Sequence, residues 1–134
     1  ICDNTILRNK FCVKAGGSKM VIVLFEVTLK EGKMEDYLAQ AEGLKSVLAE
    51  TEGFIRSERF SSLAVEGKLL SLSVWDSEES VAKWRSTMAH RMSQKHGREY
   101  DFADYKITVA TSVRSYTMNS RQGAPADSNE FFGG

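Results

Sequence analysis

His90 and His96 are the only histidines in this 134-residue chain. An imidazole with an ordinary pKa of about 6.5 gains and loses a proton at neutral pH, so each is a candidate general base. Each also has a plainer reading, as a surface or hydrogen-bonded structural side chain. Trp84 precedes His90 by six residues. Its indole suits either a core or a stack on a planar aromatic ligand. At ~100° per residue, a continuous helix turns His90 roughly 120° away from Trp84. His90 therefore shares the direction of Trp84 only if the helix breaks or turns near residues 88–91. His96 falls within about 40° of Met92, closer to the apolar stripe. Lys83, Arg85, Arg91, Lys95 and Arg98 crowd residues 83–98 with no acid among them. Such an excess stabilises an oxyanion or draws an anionic ligand. The plainer reading is a solvated face paired with acids elsewhere, and residues 31–52 are rich in them.

The elements that must position these side chains are legible between residues 20 and 118. Residues 20–30 are β-rich and apolar at every position from 20 to 25, the pattern of a strand buried on both faces. Met34, Tyr37, Leu38, Ala41, Leu44, Val47 and Leu48 recur at spacings of three and four, so residues 33–51 read as a helix with one buried face. Glu35 and Asp36 in its first turn suit the helix dipole, and Gly53 stands where a C-terminal cap belongs. Residues 54–62 and 68–76 read as paired strands around a Glu66-Gly67 turn. In the second of these, Leu70, Leu72 and Val74 alternate with Ser71, Ser73 and Trp75, which puts Trp75 on the opposite face. Asp76 and Glu79 form a capping-box-like pair that opens a helix with the stripe Val81, Trp84, Met88 and Met92, ending near Gly97. Residues 105–118 read as the last strand. Tyr105 shares a face with Ile107, Val109 and Val113, and Arg114 and Tyr116 share the other. Tyr105 is thus a candidate hydrogen-bond donor to a substrate oxygen. This order predicts an α+β, ferredoxin-like βαββαβ fold with a four-stranded antiparallel sheet.

The ends differ from this middle. Residues 1–19 carry both cysteines, Cys2 and Cys12, and read as an N-terminal extension or a cloning remnant. Residues 119–134 are polar and glycine-rich and read as a flexible tail. The expected domain is therefore residues 20–118, cysteine-free and placed in the cytoplasm. No stretch approaches the ~20 apolar residues of a membrane span. A formal net charge of zero argues against bulk nucleic-acid binding. No phosphate-binding glycine loop, dinucleotide fingerprint or nucleophile elbow is present. Two histidines and no domain cysteine argue against a histidine-rich metal site.

The second half resembles the antibiotic biosynthesis monooxygenase family. The matching residues run Trp75-Asp76-Ser77-Glu78-Glu79, Trp84, then His90 through Arg98, Tyr105 through Ala110, and Arg114-Ser115-Tyr116. Gly32 and Glu52-Gly53-Phe54 fit the same pattern. The resemblance covers about residues 20–118. It implies a dimeric α+β barrel in which two sheets face each other, with a substrate cavity between helices and sheet. It implies His90, His96 and Tyr105 as catalytic candidates. It implies Trp84, Phe25, Met88 and Arg91 as substrate contacts. The haem-degrading branch carries an Asn on the first strand, where Phe25 stands here, and its Trp-to-His spacing also differs. An oxygenase of this sequence would use no flavin, haem or metal.

The reading this favours is a cofactor-independent monooxygenase that oxidises a quinol or polycyclic phenol with molecular oxygen. Two alternatives share the fold: a small-molecule isomerase, and a non-catalytic ligand-binding or stress protein. A sheet apolar on both faces predicts a homodimer, since a monomer would expose one of them.

Overall fold

A computed structural model describes residues 19–131, apart from the side chains of Met88 and Ala89. The extension expected at residues 1–19 lies almost wholly outside the described residues. The first strand, β1 (Val21–Leu29), is the hub of the sheet. It pairs antiparallel with β3 (Lys68–Trp75) on one side and β4 (Phe102–Thr111) on the other. β2 (Phe54–Ser61) completes the order β2-β3-β1-β4. Both crossovers carry helices. The first is α1 (Met34–Ala49). The second is α2 (Glu78–Arg85), α3 (Met88–His96) and a π-helical turn, Gly97–Asp101. A short helix, α4 (Ala126–Phe131), forms inside the segment expected to be a tail. This is the ferredoxin-like α+β arrangement. No described helix is long and apolar enough to cross a membrane.

Strand alternation divides β1 between two faces. Val21, Val23, Phe25, Val27 and Leu29 look toward the helices, and Val27 is completely buried. Register sets Ile22 beside Val74 and Leu24 beside Leu72 on the opposite face. That face also carries apolar side chains, half-buried except for Val74, which is buried. Trp75 does not belong to it, contrary to the sequence expectation that a partner sheet would cover its side. It lies on the helix side, 1% exposed, where Phe54 and Trp84 pack against it.

The helix side holds two apolar clusters. One joins Val21, Phe54, Trp75, Val81 and Trp84. The other joins Val27, Leu29 and Leu69, with Tyr37, Phe102 and Tyr105 packed on it.

Four local departures from the sequence reading bear on the site and its surroundings. The helix expected from residue 76 to residue 97 breaks at Ser86-Thr87. Ser77, rather than Asp76, caps α2, its hydroxyl accepting the Ser80 backbone N–H at 3.1 Å. Asp76 instead accepts the Ser80 hydroxyl at 2.7 Å. The last strand begins at Phe102 and ends at Thr111, so Arg114 and Tyr116 lie beyond it. Gly53 is not the α1 cap, which is Glu50; it turns the chain into β2 with φ +83°.

Candidate functional site

A cavity of about 450 Å³ opens between the two apolar clusters. Val23 and Phe25 of β1 form its floor, Tyr37 and Leu44 of α1 one wall, and Trp84 and His90 another. Ile107 and Val109 of the edge strand β4 line it while each remains 47% exposed, so it opens along that edge.

The break between α2 and α3 explains how His90 reaches this wall. Ser86 and Thr87 bring hydroxyls that compete for backbone groups inside a helix. The Ser86 hydroxyl donates to the Ala82 carbonyl at 3.0 Å. The Thr87 hydroxyl donates to the Trp84 carbonyl at 2.9 Å and accepts the His90 N–H at 3.3 Å, capping α3. The chain turns, and the His90 imidazole comes to 5.3 Å from the Trp84 ring, centroid to centroid. On an unbroken helix the two would diverge. Burial, helped by the Arg85 cation, holds the His90 pKa below its ordinary 6.5. That direction favours the neutral form of the imidazole.

A second polar pair lies across the cavity. Tyr37, carried by α1, is pushed up in pKa by burial, while the Arg59 guanidinium beside it pulls the other way. Both line the cavity. An arginine beside a phenolic hydroxyl supplies two donors for an oxygen that gains negative charge. Sequence reading assigned Tyr37 to the core stripe and passed over Arg59. The signal available was the alternation of β2, which sends Ser57 and Arg59 to the helix side.

The remaining expected site residues are distributed as follows. Phe25 and Trp84 line the cavity. The side chain of Met88 lies outside the described residues. Arg91 is exposed and lines a shallower groove with Arg85, Lys95 and Arg98, which touches the cavity at His90. Tyr105 is on the helix side but outside the cavity wall. It packs against Phe25 and Phe102, each at 5.7 Å, at the core's far end. The register irregularity in β4 falls before Tyr105, between the partners of Thr28 and Leu29, so it does not turn Tyr105 toward the cavity.

His96 also stays outside the cavity. Its Nε2 lies 3.1 Å from Asp36 Oδ2 and 3.3 Å from Asp101 Oδ2. Asp36 is held below the ordinary carboxylate range, chiefly by its hydrogen bond to His96. Asp101 is pushed above that range by burial first and by Asp36 second.

Known proteins match this architecture. The family model described as antibiotic biosynthesis monooxygenase matches residues 20–96. A jasmonate monooxygenase from Pyricularia oryzae is 39% identical over 100 residues, covering 75% of this chain. The match spans 46% of that relative, so the chain accounts for about half its length. Among solved structures, a conserved protein from Methanosarcina mazei has a TM-score of 0.66 at 16% identity, covering 71% of this chain and 94% of its own. SnoaB, a cofactor-independent oxygenase from Streptomyces nogalater, has a TM-score of 0.64 at 10% identity, covering 73% and 97%. At such identities the two structures attest the fold.

Proposed function

The chain belongs to the antibiotic biosynthesis monooxygenase family, and from that premise we propose that it oxidises a planar, ionisable apolar molecule with molecular oxygen, using no flavin, haem or metal. The observation that carries this reading is the His90 imidazole, its neutral form favoured, beside Trp84 in the wall of an apolar cavity. A quinol or polycyclic phenol fits such a space. Trp84 and Phe25 offer faces to its rings. His90 takes a proton from the phenol or its keto tautomer, and Arg59 with Tyr37 balances the resulting oxyanion. The anion passes an electron to oxygen, and the radical pair recombines at carbon. In a phenol whose keto form carries a ring CH₂, that CH₂ becomes C=O, one oxygen atom enters the product and the other leaves as water. The substrate supplies all the electrons, so no external reductant is needed.

The test is an oxygen-electrode screen of reduced quinones and anthrones. Uptake is expected with at least one. His90→Gln should lower kcat by about 10²-fold or more, the usual scale of a general base. Equal uptake by the variant sinks the assignment of His90. No uptake from any substrate favours an isomerase or a binding protein.

The fungal relative favours a second substrate class. Jasmonate is a cyclopentanone bearing a carboxylate, and Lys45, Arg59 and Arg85 place cations in the cavity wall for such a group. Hydroxylating an unactivated C–H consumes oxygen, two electrons and two protons, giving R–OH and water. Oxygen uptake with jasmonate that depends on an added two-electron donor would select this class.

The assembly in this reading is a homodimer through the sheet face opposite the cavity. The half-buried Ile22, Leu24 and Leu72 there would be covered by the same face of a second copy.

A further inference from the structure

At the end of the cavity, where Asp101 lines it, three potential metal ligands from two distant stretches of chain meet at one point. The ligating atoms of Asp36, His96 and Asp101 all lie within 4.8 Å of one another. The fold converges them deliberately. Asp36 sits in the first turn of α1. His96 ends α3, and the π-helical turn follows it. Bonds from i to i+5 stack residues five apart, so this turn carries Asp101 back over His96. The Asp101 carbonyl accepts the Lys30 N–H at 2.8 Å, which pins the turn to the loop entering α1. The Tyr100 ring lies 4.9 Å from the imidazole and fixes its plane.

His96 meets both acids through one ring nitrogen, and Asp36 and Asp101 are further coupled to each other by a side-chain hydrogen bond. Asp101 is 99% buried, yet its Oδ1 has no hydrogen-bond partner. Lys33 adds only a weaker positive influence on both acids. A buried carboxylate oxygen left bare is costly unless a partner or an ion takes it up.

We propose that Asp36, His96 and Asp101 bind a first-row divalent transition-metal ion, of which Zn²⁺ is the representative. One nitrogen and two carboxylate oxygens are a donor set such ions accept, with a fourth position left for water. Ligand atoms about 2.0–2.1 Å from a tetrahedral ion stand about 3.3 Å from one another. The two Nε2-to-oxygen distances, 3.1 and 3.3 Å, already have that spacing. The bare Oδ1 gives Asp101 a second donor atom. Asp36 is exposed and the His96 side chain is 34% exposed, so an ion has a route in from solvent. The imidazole nitrogen disfavours Mg²⁺ and Ca²⁺, which prefer all-oxygen shells. The ion would tie α1 to the π-helical turn, and both contribute to the cavity's end, through Tyr37 and Asp101. This site does not depend on the proposed oxygenase chemistry, and its readouts need no substrate.

The test uses the full chain, stripped with chelator and titrated with Zn²⁺ by calorimetry and with Co²⁺ by visible absorption. The expected result is one ion per chain, with d–d bands of low-coordinate Co²⁺ and a rise in Tm on Zn²⁺ addition. His96→Ala, Asp101→Asn and Asp36→Asn should each weaken binding by about tenfold or more, and each should abolish the Tm rise. Asp36 is exposed, so its variant folds even if the buried Asp101→Asn does not. Absence of Zn²⁺ and Co²⁺ binding overturns the proposal. So does binding that survives Asp36→Asn and His96→Ala but is lost in Cys2→Ser, Cys12→Ser, because the cysteines would then be the ligands.

Discussion

A histidine's neighbours decide what its proton does, and the two histidines here have opposite surroundings. His90 faces an aromatic ring, an apolar cavity and the Arg85 cation. His96 faces two carboxylates. The difference has a thermodynamic signature. A His90 pKa below 6.5 in the folded state means that the unfolded chain binds the extra proton more readily. Stability contributed by neutral His90 is therefore present above pH 6.5 and lost as pH falls from there through the lowered folded value. His90→Gln should flatten the decline of Tm between neutral and mildly acidic pH, read by thermal melts across that window. An unchanged slope would mean that His90 is solvated. The carboxylates act with opposite signs. Lowered Asp36 loses its contribution as pH falls through its folded value, while raised Asp101 loses its own as pH rises through its folded value. At this scale the sequence named His90 and Trp84 but missed Arg59, Tyr37 and Asp101. Residue type marks a histidine as chemical. Only tertiary placement marks a tyrosine on an apolar stripe, or an aspartate five residues past a histidine, as part of a site.

Elements carried most of the legible information. The four strands and the first helix follow from periodicity, because each buries one face and repetition exposes the choice. Two features escaped it. Ser86-Thr87 splits the second crossover, and the Thr87 cap was readable only as a hydroxyl pair inside an otherwise helical stripe. The π-helical turn adds a residue that no apolar period encodes. The β4 boundary was misread because Phe102 was not recognised as the start of the apolar alternation, and the β-rich residues 112–118 suggested a continuation. Gly53 offers an element-scale check. Its φ of +83° disfavours any side chain, and an added Cβ would strike the Ser80 hydroxyl and Asp76. Gly53→Ala should therefore cost more than the ~1 kcal/mol typical of a point substitution, seen as a lowered urea midpoint at unchanged m-value. Wild-type stability in this variant would show that the turn relaxes freely.

The whole molecule has two unlike surfaces on one sheet. Helices cover one face and leave a cavity there, while Ile22, Leu24, Leu72 and Val74 line the other. If the second face meets its own copy, Leu72→Lys should convert a dimer to a monomer in size-exclusion chromatography with light scattering. A wild-type chain already monomeric at micromolar concentration would remove the dimer from the reading. The sequence foresaw two apolar faces but assigned Trp75 to the wrong one. Alternation tells which residues share a side; it does not tell which side the helices will choose. Charge separation was more transparent. The acidic first helix region and basic second one are joined by pairs such as Lys83 with Glu52 at 3.8 Å. That pair is exposed and adds little stability.

The cavity lies between two apolar clusters rather than inside one. A molecule seated there would touch Val23 and Trp84 at one end and Phe25 and Tyr37 at the other. It would act as a keystone, completing by its own surface a core that the chain leaves divided. Affinity and fold stability then draw on the same contacts, so substrate choice is constrained by the shape of what the polypeptide lacks.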